Sequence, residues 1–296
     1  MTAIDRIALV VHPKRPIDGA LAAVRQWSDE AGLELVQLAT GDELHRRVAP
    51  LAPVGGGDLV VAVGGDGTVL TALRAAAAAD RPVLGVACGS LGALSAVAAD
   101  GIADALERVR AGDWTARSLP ALAIAPDGGA EDWALNDLVV FRRGSSQLAA
   151  SISVDGELYV RLAGDGLVVA TALGSTAYSM AAGGPVIAAG TAAFVCTPLA
   201  MHGGCGPPLV VPADAMLTVE VSPSYAGFDI EIDGHLRPVG ATSFRVGLHD
   251  GKATLVTFGG AGRGIAAIRR RRLITDSPRM LARDDRAAHA AHPDDA

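Results

Sequence analysis

The chain has 296 residues, of which 50% are hydrophobic, 19% charged and 4% aromatic, and its formal net charge is −7. That length suggests two domains or one large one, with ample material for a core. The acidic balance and the few aromatics exclude a nucleic-acid footprint, and no charge-free apolar run is long enough to span a bilayer.

The first third alternates strand and helix signals. "RIALVVHP" (6–13) reads as a buried strand, and "DGALAAVRQWSDEAG" (18–32) has helical apolar spacing with a glycine stop. "LELVQLA" (33–39) is a second strand, "DELHRRVAPL" (42–51) a short helix, and "LVVAVG" (59–64) a third strand. "TVLTALRAAAAA" (68–79) is an alanine-rich helix and "PVLGVAC" (82–88) a fourth strand. This rhythm predicts a parallel sheet covered on both faces. From "RSLPALAIAP" at 117 onward, β-like runs follow one another with Gly, Asp or Pro at the joints. They include "WALNDLVVFR", "AASISVDGELYVRLAGDGLVVAT", "MLTVEVS", "FDIEIDGHL", "TSFRVGLH" and "KATLVTF", with one helical interruption near "TAYSMAAGG". The expected organisation is an α/β unit over 1–116, a β-rich unit over 117–262, and a basic helical stretch over 263–280. Residues 281–296, rich in Ala, Asp and His, are expected to be disordered. The run Arg269-Arg270-Arg271-Arg272 reads as a solvated face, or as a grip on polyphosphate.

Cys88, Cys196 and Cys205 are too few and too scattered for a disulfide framework. With His202 they lack the paired spacing of a zinc site, so thiols in a reducing compartment are expected. The opening segment has no signal-peptide pattern, which points to a soluble, cytoplasmic protein.

The chemistry concentrates in "VVAVGGDGTVL" (60–70). A buried strand runs into Gly64-Gly65-Asp66-Gly67-Thr68 and then a helix. Glycines let the main chain approach a ligand closely, and a helix start offers unpaired N–H groups to an anion. Gly64, Gly65, Gly67 and Thr68 would therefore cradle phosphates. Beside phosphates, Asp66 would bind a metal or act as general base toward an attacking hydroxyl. The competing reading is a tight turn in which Asp66 caps the helix.

The stretch resembles the GGDGT motif shared by NAD kinases with diacylglycerol kinases, sphingosine kinases and 6-phosphofructokinases. Three further segments resemble NAD kinases in particular: "ALNDLVV" (134–140), "VDGELYVRLAGDGLVVATALGSTAYSMAAGGPVI" (154–187) and "CTPLAMHGGCGPPLVVPAD" (196–214). The resemblance implies an α/β domain with a parallel sheet plus an all-β, sandwich-like C-terminal domain, with the last segment, 263–280, returning to the first. It implies phosphorylation of the 2′-hydroxyl on the adenosine side of NAD, with Mg²⁺ or another divalent metal and ATP or polyphosphate as donor. It further implies a homodimer or homotetramer, with no nucleic-acid or membrane partner. Asp66 matches the general base. Asn136 and Asp137 match the pair that contacts NAD, and Asp165 an acid used on the dinucleotide. Thr176, Ala177 and Tyr178 match residues lining the NAD site, Ala181 stands at a dinucleotide-contacting position, and His235 falls near bound dinucleotide. Asp155-Gly156 and Asp233-Gly234 are read as turns only.

The chain also departs from that pattern. Asp137 replaces the usual Glu, Ala93 a Phe, Ala172-Leu173 a Pro-Thr pair, Ala181 a Ser, Pro207 an Arg, and Ala163 stands at an often polar site. Two alternatives follow: a kinase with another acceptor, lipid or nucleotide-like, or a non-catalytic NAD(P)-binding regulator.

Overall fold

The computed structural model describes residues 4–41, 45–222, 226–259, 265–271 and 273–282. Most of the expected tail (283–296) and Arg272 lie outside them. The strands β1 (Arg6–Val11), β2 (Glu34–Gln37), β3 (Asp58–Gly64) and β4 (Pro82–Ala87) form a parallel sheet in the order β2-β1-β3-β4. β3 and β4 are buried end to end, as strands covered on both faces must be. Three helices provide the cover: α1 (Asp18–Ala31), α2 (Asp66–Ala77) and α3 (Ile102–Arg110). Alternate strand residues face opposite sides. Ile7, Leu9, Leu59 and Val61 meet α1 and α3, whereas Ala8, Val10, Val60 and Ala62 meet α2. Gly32, in the left-handed region at φ 67°, ends α1.

Two elements of this half differ from expectation. α3 is additional, and it buries Ile102, Ala105, Leu106 and Val109, a one-face helical spacing. The helix expected over 42–51 does not form. Residues 42–44 lie outside the described set, 45–50 are non-helical, and Leu51 makes a parallel bridge to Gln37. The reason is the buried Gln37 side chain. Its amide donates to the Arg46 carbonyl at 2.9 Å and accepts from the Val48 N–H at 2.8 Å, so the segment runs extended beside β2.

The short β5 (Val97–Ala98) precedes α3. After it the chain is almost wholly β: β6 (Thr115–Pro126), β7 (Asp132–Ala134), β8 (Asp137–Arg142), β9 (Leu148–Val154), β10 (Glu157–Gly164) and β11 (Gly166–Thr171). A short helix, α4 (Tyr178–Ala181), separates these from β12 (Ala193–Leu199), β13 (Leu209–Pro212), β14 (Leu217–Ser222), β15 (Phe228–Ile232), β16 (His235–Arg237) and β17 (Ser243–Thr257). The second sheet is antiparallel, in the order β13-β12-β11-β8-β15-β16. Its inner face, with Val140, Val169 and Phe194, packs on Ile152, Leu217 and Phe244 of the first sheet. Phe228 and Phe244 meet edge to face across that core, with ring centroids 6.4 Å apart. Asp155-Gly156 and Asp233-Gly234 turn two hairpins with positive φ at both residues, the geometry those dipeptides favour.

β17 joins the halves. The expected runs 242–249 and 252–258 are one strand with an irregularity between His249 and Ala253. It pairs antiparallel with β6 and β14, and then parallel with β4 through Thr254 and Leu255. The parallel sheet and one layer of the sandwich are therefore one continuous sheet. The fold is an α/β unit with a parallel sheet plus an antiparallel β-sandwich. Beyond β17 lies α5 (Ile265–Arg270).

Candidate active site

β3 ends at Gly64, and α2 starts at Asp66 with Gly65 in the extended N-cap position. A Cβ on Gly64 would overlap the Thr68 side chain, so this glycine lets the loop fold flat onto the helix start. Asp66 does not cap α2. Its carboxylate reaches across to the segment after β4 and accepts the N–H groups of Ala93 at 2.9 Å and Leu94 at 3.1 Å. Gly92 is what permits this approach, because any Cβ there would overlap the carboxylate. A carboxylate has about four acceptor positions, so two backbone donors fix its orientation and leave capacity for a ligand. Cations flank the loop. The Arg271 guanidinium stands 3.6 Å from Asp66 Oδ2, and the Arg15 guanidinium lies beside Gly65.

The second group of expected residues gathers at the β7–β8 junction. Asn136 is half-buried there and Asp137 is buried. Both are held by Asp233, whose carboxylate accepts the N–H groups of Leu135 (3.0 Å), Asn136 (2.7 Å) and Asp137 (3.3 Å). His235 sits on the same hairpin, exposed, with Nδ1 3.0 Å from the Asp233 carbonyl. Burial pushes the Asp137 carboxyl up to about 7, and the charges of Asp233 and Glu231 add to the shift. Its titration is thereby brought into the neutral range.

The "GSTAYSMAAGG" block connects the junction to the second sheet. Gly174 rests on Asn136, where a Cβ would overlap the Asn136 carbonyl. Thr171 donates its hydroxyl to the Leu135 carbonyl at 2.6 Å. Ser175 bonds the Ala172 carbonyl and the Ile187 N–H, and Ser179 bonds Thr197, all buried or nearly so. These residues build the loop. Thr176, with its hydroxyl on the Leu173 carbonyl, is half-buried, while Ala177, Tyr178 and Ala181 are exposed along it. Leu173 and Leu135 belong to the same core cluster as Leu94 and Val69, so this loop, the Asn136 bend and the Asp66 corner share one apolar layer. Tyr178 and Asp165 line a cleft of about 350 Å³ with Arg142, Phe141 and Glu231. Asp165 is already engaged there, accepting from Arg142 Nε at 2.6 Å. Among the described residues no three His, Cys, Asp or Glu side chains form a metal-binding group.

Residues 39–114 match the family model described as the ATP-NAD kinase N-terminal domain, and 135–251 match that of the ATP-NAD kinase C-terminal domain. The NAD kinase of Koribacter versatilis is 32% identical over 244 residues, covering 78% of this chain and 84% of the relative. NAD kinase 1 of Streptomyces avermitilis is 30% identical over 327 residues, covering 96% and 91%. The chain belongs to the NAD kinase family. Its fold is shared with yeast NADH kinase complexed with NADH (TM-score 0.71, 18% identity, 91% of this chain and 87% of that one). It is shared also with an Archaeoglobus fulgidus NAD kinase in complex with ATP (TM-score 0.69, 22% identity, 91% and 100%).

Four residues of this candidate site were not singled out from sequence: Gly92, Arg15, Asp233 as an acceptor, and Arg74 on α2, 3.8 Å from Asp233; Arg271 was read only as one of a basic run. Arg74 had a local signal, being the one basic residue in α2. Asp233 was hidden because its turn explained it. Of the departures from the family pattern, Ala93 serves Asp66 through its N–H, which any side chain but proline would keep. Ala163 sits in β10 with its carbonyl on the His202 N–H, and Pro207 offers its carbonyl to the Tyr159 hydroxyl.

Proposed function

We propose that this chain phosphorylates the 2′-hydroxyl of the adenosine ribose of NAD, giving NADP, with ATP as phosphoryl donor. The observation that carries the reading is the corner where Asp66, oriented by the Ala93 and Leu94 N–H groups, meets a glycine loop, a helix start and the Arg15 and Arg271 guanidinium groups. In this reading the donor phosphates lie on the loop and the α2 N-terminus, where unpaired N–H groups and the helix dipole favour anions. Arg15 and Arg271 supply the matching positive charge. Asn136, Thr176, Ala177, Tyr178 and Ala181 hold the dinucleotide, with Asp165 and His235 at its edges. Asp66 takes the proton of the 2′-hydroxyl while that oxygen bonds the γ-phosphorus and the bond to ADP breaks.

In this reading a divalent cation enters on the donor phosphates, as Mg²⁺ does with nucleotides. Polyphosphate would meet the same arginines. A homodimer or homotetramer is part of the same proposal. Free cysteines at 88, 196 and 205 suit a cytoplasmic enzyme.

The test is an NADP-specific coupled assay on purified protein with NAD, MgATP or polyphosphate, beside Asp66→Asn. NADP formation that the substitution nearly abolishes is expected. No NADP from either donor, with NAD still bound, refutes the reading.

A further inference from the structure

One α2 side chain ties the two halves of this site together. Arg74 lies eight positions after Asp66 on α2, about two turns and 12 Å along the axis. Its guanidinium donates to the Trp133 carbonyl at 2.6 Å, pairs with Asp132, and stacks over the Trp133 ring at 4.7 Å. It also stands 3.8 Å from Asp233 Oδ2. Asp233 in turn holds the N–H groups of residues 135, 136 and 137. Trp133 takes the Lys252 ammonium on its ring as well, and Arg237 shares Asp132. At the centre of the cluster the Asp233 side chain is only 5% exposed and that of Arg74 25%.

We propose that Arg74 is a positioning residue for phosphoryl transfer, setting the acceptor segment Asn136–Asp137 at a defined distance from Asp66. The proposal rests on the reading that Asp66 is the base and that residue 136 contacts NAD. The argument is geometric. A single rigid helix carries the Asp66 carboxylate at its first residue and, two turns later, the fork that grips the strand entering the acceptor bend. A planar guanidinium uses several directions at once: one arm on a carbonyl, one on a carboxylate, and a face on an aromatic ring. That combination restricts rotation as well as distance, which a lone ion pair does not. Asp233 completes the link, since its two oxygens accept three successive backbone donors while the Arg74 guanidinium stands beside one of them. Arg74 thus acts through Asp233 and Trp133 rather than on substrate.

Misplacing an acceptor oxygen by about 1 Å can lower turnover about 100-fold. Arg74→Met keeps the stem and removes the fork. It is expected to lower kcat/KM for NAD about 10- to 100-fold while the KM for ATP stays within about twofold. Arg74→Lys, which retains the charge without fork or stacked plane, recovers part of kcat/KM. Asp233→Asn is expected to match Arg74→Met, and the double substitution to lose little more than either single one, because both cut the same link. The measurements are steady-state kinetics for each substrate, made well below each variant's Tm. A folded Arg74→Met protein with wild-type kcat and KM for NAD overturns the proposal, as does a KM for ATP raised as much as that for NAD, or additive effects of the two substitutions. If wild-type protein makes NADP but Asp66→Asn does so equally well, the underlying reading fails instead.

Discussion

Asp137 gives the sharpest test of the acceptor side, through stability rather than turnover. Its carboxyl is raised from 3.8 to about 7, first by burial and then by the charges of Asp233 and Glu231. The folded state therefore binds this proton more tightly than the unfolded state does. The stabilising contribution is complete below the unfolded value and is lost as pH rises through about 7. A gap of about 3 units at 1.36 kcal/mol each spans about 4 kcal/mol in all. Within the usable window from about pH 5.5 to 8, linkage with these values predicts a loss of about 2 kcal/mol. Asp137→Asn keeps the shape and cannot ionise, so its stability lacks this component. The assay is urea or thermal unfolding of both proteins at several pH values. All other titrating groups are common to the pair, so the difference between the curves isolates Asp137. Wild type should gain on the variant as pH falls from 8 to 5.5. Parallel curves would refute the reasoning, and would mean that water or movement of the β7–β8 junction relieves the burial.

Two further predictions concern the Asp66 corner. Gly92→Ala places a methyl group where the carboxylate lies, so Asp66 must leave the Ala93 and Leu94 N–H groups. Turnover should fall about 100-fold, with a stability loss of about 1–3 kcal/mol from overpacking; a fully active variant would show that the Asp66 orientation is unimportant. Arg271→Ala should raise the KM for ATP several-fold, whereas Arg269→Ala, which only frees the exposed Asp276 pair, should not. Equal behaviour of the two variants in an ATP titration would remove Arg271 from the donor site.

What was legible in the sequence was what is contiguous. The β3–α2 loop is a strand, three glycines and a helix within eleven residues, and its local rules agree with the fold. The "GSTAY" block was legible as a unit, but its residues divide in a way the string does not reveal. Gly174, Ser175, Ser179 and Gly184 are fixed by close approach and buried hydrogen bonds, and they present Thr176 to Tyr178. What was not legible joins distant positions. Asp233 looks complete as the first residue of a type I′ turn, yet its carboxylate serves residues 97 positions earlier. Asp250-Gly251, with Gly251 at φ 68°, looks like the end of a strand, yet pairing with β6 carries β17 through it. In both places a local rule is satisfied and a tertiary contact adds a second role.

The same distinction decides which departures from the family pattern matter. Ala93 contributes a backbone N–H, so losing the larger side chain there leaves the Asp66 orientation intact. Ala181 is exposed beside Tyr178, where a lost hydroxyl removes at most one contact with the dinucleotide. Asp137 differs in kind. One methylene shorter than Glu, it stays buried beside Asp233, and its charge at neutral pH becomes conditional. A carboxyl that is half protonated near pH 7 can donate as well as accept a hydrogen bond. In the proposed reading Asp137 lies behind the Asn136 contact with NAD, so that contact should change character across the physiological range, and the pH profile of KM for NAD should show it where that for ATP does not.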